Sequence, residues 1–248
     1  MWNHTLDATY NPDNSGGPGN GLGGRQNTVT NGLHLVLAER LALAGNLHQI
    51  IAGAEFEFLT RWFEDPDEDL RLMNDYQPGR SVVRERVSYF LGGKRDPYYY
   101  KDLAWAGDQG LIVGGLADRM SLLGKASPDY EKVRAVAIRL MEGTKDYLAR
   151  NTAQQGILQP WAPCPPSSAP GDDPDDYWTG PAVRMRYLLS AFENDDLKSY
   201  LLQHYHEFIY ANAAYVVENS NRQQSSDPVV NLTNDLAILV AAVAMLPS

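Results

Sequence analysis

The fold is decided by residues 105–116, which read Trp-Ala-Gly-Asp-Gln-Gly-Leu-Ile-Val-Gly-Gly-Leu. Together with the residues up to Leu123, this stretch predicts a helix that carries apolar side chains around nearly its whole circumference. A helix of this kind is packed against neighbours on several sides. Because glycine lowers helix propensity, the Gly114-Gly115 pair predicts a point where a second helix approaches closely.

Crowded helices of this kind alternate along the chain with helices that carry a single apolar stripe. The seven main helices are predicted, in alternating order, at about 28–44, 47–63, 105–123, from Ser127-Pro128-Asp129 onward, from Pro181 onward, at 196–218 and at 228–246. Helical hairpins arranged in a ring produce this order, with buried inner helices and outer helices that expose one face to solvent. The sequence therefore predicts an all-α fold, an α/α toroid. No fixed short repeat supports the alternative, an open solenoid of stacked hairpins.

Length and composition limit the classes of protein to consider. The 248 residues include 21 basic and 31 acidic side chains, and the net charge of −10 argues against binding to nucleic-acid phosphates. There is no apolar run long enough to predict a membrane span. Residues 1–24 are polar and glycine-rich, which predicts a flexible segment without the features of a signal peptide, ahead of a toroid domain at 25–248. Cys164 is the single cysteine, so no internal disulfide is expected.

Polar and aromatic residues collect where the crowded helices begin. If the inner helices run parallel, their N-terminal ends share one rim, and aromatic rings, amides and carboxylates would meet there. Aromatic faces cover the apolar side of a sugar ring, and amides and carboxylates match its hydroxyls. The candidate substrate-binding residues are Asn27, Asn31, Trp105, Gln109, Tyr177 and Trp178.

Asp108 and Asp176 are the candidate acid and base if the chain hydrolyses sugars unaided, because glycosidic cleavage needs two carboxyl groups that flank the bond. The same residue types also have purely structural interpretations. Asn27 fits a helix N-cap, the aromatic residues fit core packing, and Asp176 belongs to an acidic loop that solvent could surround. The histidines lack the spacing of metal ligands, and neither a metal nor a cofactor is predicted.

Three segments resemble glycoside hydrolase family 76, the α-1,6-mannanase-like enzymes. They are 26–41, which begins Gln-Asn-Thr-Val-Thr-Asn-Gly-Leu, 105–116, and 177–188, which begins Tyr-Trp-Thr-Gly-Pro. The resemblance extends over most of residues 25–246 in order and spacing. Two positions depart from the family pattern, since Asp108 stands where the family has an amide and Thr179 where it has a lysine.

The resemblance implies an (α/α)6 toroid that acts on α-1,6-linked mannoside polymers, with an oligo- or polysaccharide as partner and secretion or the cell surface as location. The family's catalytic pair is two adjacent aspartates on a helix upstream of the segments matched here, so its catalytic roles are not carried over to any residue of this chain.

Three hairpins and one further helix cannot close a ring of six hairpins. We therefore expect apolar inner faces at the open ends, covered either by a missing N-terminal half of a longer enzyme or by a second copy in a homodimer. Two other functional classes stay open. One is a non-catalytic carbohydrate-binding or assembly module, and the other is a toroid sugar epimerase or lyase, which needs a histidine or tyrosine base at the rim.

Overall fold

The computed structural model describes residues 27–45, 49–66, 71–85, 90–91, 94–95, 103–149, 156–163, 175–219 and 225–246. The segment 1–24, predicted to be flexible, lies outside these ranges.

Helices dominate the described part of the chain. They are α1 (Thr28–Ala44), α2 (Gln49–Phe63), α3 (Ala106–Leu123), α4 (Tyr130–Tyr147), α5 (Gly180–Ala191), α6 (Asp195–His204), α7 (His206–Glu218) and α8 (Pro228–Ala244), with a short 3-10 helix at Asp175–Thr179. Short strands fill some of the connections: β1 (Met73–Gln77), β2 (Arg80–Val83), β3 (Phe90–Leu91), β4 (Lys94–Arg95), β5 (Leu103–Trp105) and β6 (Trp161–Pro163). They form three antiparallel pairs, β1–β2, β3–β4 and β5–β6. The predicted all-α class is confirmed.

Four helices, α1, α3, α5 and α8, lie side by side in that order and form an inner arc. At the α1–α3 contact, Gly32 lies so close to α3 that a Cβ atom there would be 3.0 Å from the Cβ of Leu111. Further along both helices, a Cβ on Gly115 would be 2.4 Å from Cδ2 of Leu35. Contacts thus advance in step along the two helices, which means that α1 and α3 run parallel.

The α3–α5 contact repeats this geometry on the opposite side of α3. A Cβ on Gly110 would lie 2.7 Å from the Cα of Arg184, and one on Gly114 would lie 2.5 Å from Cδ1 of Tyr187. The close approach predicted from the Gly114-Gly115 pair is therefore confirmed, with one glycine facing each neighbour. Since α5 also runs parallel to α3, the N-terminal ends of α1, α3 and α5 lie on one side. We call these their leading ends.

The remaining helices pack outside the arc. Helix α2 packs on α1, α4 on α3, and α7 on α8, and the β1–β2 hairpin lies against α4. The fourth inner helix joins the arc near its own start, where Asn234 Oδ1 accepts a hydrogen bond of 3.0 Å from the backbone N–H of Ala182.

Two predicted helix positions differ from the structure. The helix expected at 196–218 is divided into α6 and α7 at Tyr205, whose buried hydroxyl donates to the carbonyl of Met141 in α4. Helix α4 begins at Tyr130 rather than at Pro128, because a turn closed by the bond from the Tyr130 N–H to the Ser127 carbonyl precedes it.

In the described part of the chain, the two ends of the inner arc carry exposed apolar side chains. Helix α3 is buried around most of its circumference, as predicted, whereas α1 and α8 each expose an apolar stripe to solvent. The exposed side chains are Leu33, Leu37 and Leu43 on α1, and Val229, Leu232, Leu236, Val240 and Val243 on α8. The burial expected for these two helices on several sides was therefore wrong. Among the helices that the structure describes, each end helix has an inner neighbour on one side only.

We predict that Gly110→Ala lowers the free energy of unfolding by about 1–3 kcal/mol or more, because the new methyl group would meet the backbone of α5. Gly53→Ala in α2 is the matched control. Nothing lies within 4 Å of its Cβ position, so better helix propensity should raise stability by ~0.5–1 kcal/mol. Urea unfolding followed by circular dichroism measures both, and an unchanged or higher stability of Gly110→Ala would contradict the packing described.

Candidate functional site

The leading end of α3 is fixed by the side chain of Gln109. This fully buried amide accepts a hydrogen bond of 2.8 Å from the Val83 N–H and donates one of 2.8 Å to the Val83 carbonyl, so that it pairs with β2 as a strand residue would. It also donates to the carbonyl of Trp105 at 3.1 Å. Both ends of the amide are therefore used inside the protein. A contact between Gln109 and a ligand stays a prediction.

The leading end of α1 is closed by two asparagines. Asn27 is the N-cap, and its side-chain oxygen accepts a hydrogen bond of 2.9 Å from the Thr30 N–H. Asn31 donates to the Asn27 carbonyl at 2.8 Å, and both side chains are buried. The Thr28 hydroxyl donates to the carbonyl of Arg84, which ties α1 to the segment that follows β2. The capping interpretation of Asn27 is thus correct, and a role in ligand binding stays a prediction.

Aromatic side chains gather beside these leading ends in a group that we call the rim cluster. Its members are the buried Leu103, Trp105, Leu111 and Tyr177 and the partly buried Val29, Trp161, Val183 and Tyr187. The Trp105 indole N–H donates to the Tyr177 carbonyl at 2.9 Å, and the two ring centres are 6.0 Å apart. The structure therefore brings Trp105 and Tyr177 together, although they are 72 positions apart in the sequence.

Trp161 and Tyr187, two partly exposed members of the rim cluster, are candidate ligand-binding residues that the sequence analysis missed. Trp161 of β6 pairs with Trp105 of β5, and Tyr187 of α5 lies over Gly114 of α3. Their partial exposure offers aromatic surface to a ligand. No periodic pattern in the sequence around Trp161 indicates which residue it pairs with, because Trp161 lies in a short strand between loops. Tyr187 had a possible signal, since it lies inside a segment that carries the family resemblance.

The structure describes the side chain of only one of the two candidate catalytic carboxyl groups. Asp108 lies in the first turn of α3 and is fully buried. A helix N-terminus stabilises a carboxylate there through its free N–H groups and its dipole. Asp176 belongs to the 3-10 helix, and its side chain lies outside the described part of the structure. Trp178 is partly exposed, and its carbonyl accepts a hydrogen bond of 2.6 Å from Asn234.

Arg184 links the leading end of α3 to the outer helices. Its fully buried guanidinium donates to the Gln109 carbonyl at 2.9 Å and to the Tyr205 hydroxyl at 3.3 Å. Burial lowers the pKa of Arg184 from its usual value, and burial raises the pKa of Tyr205. The sequence analysis missed this residue, because an arginine in a helix is ordinarily expected at the surface.

An ionic layer crosses the opposite, trailing ends of the inner helices. Arg40 of α1 pairs with Asp118 of α3 at 3.0 Å and donates to the Ser190 hydroxyl of α5 at 2.7 Å. Beside it, Glu39 lies 3.7 Å from Arg119. Burial raises the pKa of Glu39 to about 7, and the nearby Asp118 adds to the shift while Arg119 opposes it. The layer ties the trailing ends of three helices together.

The described residues include no helix long and apolar enough to cross a bilayer. Within the same ranges, no group of three His, Cys, Asp or Glu side chains is placed to hold a metal ion.

Parallel inner helices, outer helices behind them, and a polar and aromatic rim at the leading ends define an α/α toroid. Solved structures share the fold. The GH76A α-1,6-mannanase from Salegentibacter sp. HEL1_6 matches with a TM-score of 0.67 and 14 % identity, over 99 % of this chain and 67 % of that one. Dfg5 from Chaetomium thermophilum, in complex with glucosamine, matches with a TM-score of 0.63 and 13 % identity, over 98 % of this chain and 58 % of that one.

At these identities the matches establish the fold. The predicted α/α toroid is confirmed, and so is the resemblance to the family 76 architecture. The chain spans 58 % and 67 % of the lengths of these two solved structures. No family model and no curated protein sequence matches the chain.

We predict that Glu39→Gln changes how stability depends on pH. The pKa of Glu39 is raised from 4.5 to about 7 on folding, so the folded protein binds more protons than the unfolded chain within this window. The free energy of unfolding of the wild type should therefore fall as pH rises from 4.5 to 7, by up to ~3 kcal/mol from this group. Glutamine does not ionise, so the variant should lack this loss.

Urea unfolding at about pH 5 and about pH 8 measures the difference. Glu57→Gln, which changes an exposed glutamate of α2, is the control and should follow the wild type. The account of the ionic layer is wrong if Glu39→Gln and the wild type lose stability in parallel.

Proposed function

We propose that this chain binds α-mannoside oligosaccharides at the rim cluster and acts on them as a glycoside-hydrolase-like protein of the α-1,6-mannanase type. The observation that carries the proposal is the meeting of Trp105, Trp161 and Tyr177 beside the polar leading ends of α1 and α3. Aromatic faces and fixed amide and carboxyl groups are the two elements of sugar recognition. The fold shared with a GH76A α-1,6-mannanase supports the choice of substrate class.

The residues at and beside the rim cluster would have different roles. Trp161 and Trp178, which are partly exposed, would contact the sugar rings directly. Asn27, Asn31 and Gln109 are buried, and their contacts hold the leading ends in register. For hydrolysis, Asp108 and Asp176 would supply the acid and the base, since cleavage requires one protonated and one ionised carboxyl group on either side of the bond.

A second candidate function is carbohydrate binding without cleavage. The full burial of Asp108 favours it, because an acid that protonates a glycosidic oxygen has to touch the substrate. In this case the chain would be a binding or assembly module that retains the toroid architecture.

We predict saturable binding of α-1,6-linked mannose oligosaccharides, measured by isothermal titration calorimetry. Trp161→Ala should weaken binding about tenfold, which corresponds to ~1.4 kcal/mol, because it removes an exposed aromatic face from the rim. Tyr215→Ala, which removes a partly exposed ring from the outer helix α7, is the matched control and should bind as the wild type does. No binding by a folded wild type, or equal losses in both variants, would refute the proposed site.

Release of reducing ends from α-1,6-mannan by the same preparations distinguishes hydrolase from binder. If the chain cleaves the polymer through Asp108, Asp108→Asn should abolish turnover and leave the unfolding midpoint close to that of the wild type. Turnover that persists in Asp108→Asn would remove this residue as the acid. Saturable binding without any reducing ends would identify the binding module instead.

A further inference from the structure

Arg184 is a buried cation without a carboxylate partner among the residues that the structure describes. It is completely buried, and its Nε–H has no hydrogen-bond partner within the same ranges. Two other arginines of the inner helices differ, since Arg40 pairs with Asp118 at 3.0 Å and Arg119 lies 3.7 Å from Glu39. A buried charge that is not paired with an opposite charge destabilises a fold. The presence of Arg184 therefore indicates a role other than stability.

Arg184 connects α5 to the first turn of α3 in two ways. Its backbone packs on Gly110, where a Cβ atom would lie 2.7 Å from the Cα of Arg184. Its guanidinium donates to the Gln109 carbonyl at 2.9 Å and to the Tyr205 hydroxyl at 3.3 Å. The Tyr205 hydroxyl in turn donates to the Met141 carbonyl, so the second partner of the guanidinium is itself held in place. The side chain therefore holds the first turn of α3 at a fixed distance from α5.

The indole of Trp105 lies in the gap between these same two elements. On one side it covers Gly107 in the first turn of α3, where a Cβ atom would overlap the ring. On the other side it meets Gly180, the first residue of α5, whose Cβ atom would lie 2.7 Å from the indole Nε1. That nitrogen donates to the Tyr177 carbonyl at 2.9 Å, and Gln109 donates to the Trp105 carbonyl at 3.1 Å. The width of the gap between α3 and α5 therefore determines where the indole lies.

An apolar side chain of similar length in place of Arg184 would leave neither of its two partners unpaired. The Tyr205 hydroxyl keeps its hydrogen bond to the Met141 carbonyl. The Gln109 carbonyl lies inside α3, where the helix itself supplies a backbone N–H. Replacement of a buried charge by a well-packed apolar group is often neutral or stabilising. We therefore expect the guanidinium to add a fixed geometry to the fold rather than stability.

We propose that Arg184 is a positioning residue of the rim cluster. By fixing α5 against the first turn of α3 it holds the Trp105 indole in one place, and with it Trp161, which pairs with Trp105 between β5 and β6. Arg184 is completely buried and acts through these residues without touching a ligand. Its effect on sugar binding rests on the proposed function, whereas its effect on the position of Trp105 does not.

Hydrogen exchange of the Trp105 indole N–H, followed by NMR of the full chain with isotope-labelled tryptophan, tests the proposal. The signal is assigned by its loss in Trp105→Phe. In Arg184→Met this proton should exchange about tenfold faster than in the wild type, because the gap that protects its bond to the Tyr177 carbonyl opens more often. The signal of Trp62, which is buried in α2, is the internal reference. Arg186→Met, the same substitution at an exposed position of α5, is the matched control and should exchange as the wild type does.

The unfolding midpoint and a conservative variant separate positioning from a structural role. The midpoint of Arg184→Met should equal or exceed that of the wild type, because a buried charge without a carboxylate partner is removed. Arg184→Lys keeps the charge but lacks the planar fork of donors that reaches both Gln109 and Tyr205. Its Trp105 indole proton should exchange at a rate between those of the wild type and Arg184→Met. The comparison of Arg184→Lys with the wild type decides the question by itself if Arg184→Met does not fold.

Calorimetric titration with an α-1,6-linked mannose oligosaccharide connects the position of Trp105 to the site. Arg184→Met should bind about tenfold more weakly than the wild type and Arg186→Met, because the rings of the rim cluster are no longer held in one arrangement. A wild type that does not bind would refute the proposed function, and the exchange of the Trp105 proton would still decide the role of Arg184. Unchanged exchange at Trp105 in the folded Arg184 variants would identify a merely structural residue and overturn the proposal. Faster exchange with unchanged affinity would overturn its link to the sugar site.

Discussion

The close approach of α1 and α5 to α3 is the constraint on which the rest of the structure depends. Glycines on two sides of α3 remove the side chains that would hold its neighbours away, and Gly32 does the same on α1. Because contacts advance in step along each pair, the three helices run parallel. Parallel inner helices put their N-terminal ends on one side, where the rim cluster lies.

Side chains that form hydrogen bonds with backbone atoms hold the leading ends in place. Gln109 completes the edge of β2, Asn27 caps α1, and Arg184 holds the first turn of α3 through the Gln109 carbonyl. Trp161 and Tyr187 are the partly exposed aromatic members of the rim cluster beside them. The polar residues at the leading ends thus hold the backbone in place, and the partly exposed rings lie beside them at the surface.

Local signals in the sequence were sufficient for the bounds of several helices. Asn27 before α1, Pro181 in the first turn of α5 and Pro228 at the start of α8 act within one turn of the chain, and the structure has helices where they predict them. The glycine pair in α3 predicted a close contact, because glycine in a helix needs a reason from packing. The polar rim followed from the alternation of crowded and striped helices.

Features that depend on distant contacts were not predicted. The break at Tyr205 reflects a buried hydroxyl that reaches α4 and Arg184, and no residue beside Tyr205 signals it. The pairing of Trp105 with Trp161 joins segments separated by more than fifty residues. The apolar pattern of α8 is the same whether a neighbouring helix is present or not, so the sequence alone could not distinguish a helix buried on several sides from one with an exposed apolar stripe.

Hydrogen–deuterium exchange with and without an α-1,6-linked mannose oligosaccharide tests most directly whether the leading ends of the inner helices form one binding surface. The account predicts added protection that is confined to peptides covering 27–33, 103–111, 156–163 and 175–187, with no change in α2, α4 and α7. Protection that falls on the outer helices, or on the trailing ends of the inner helices, would contradict it.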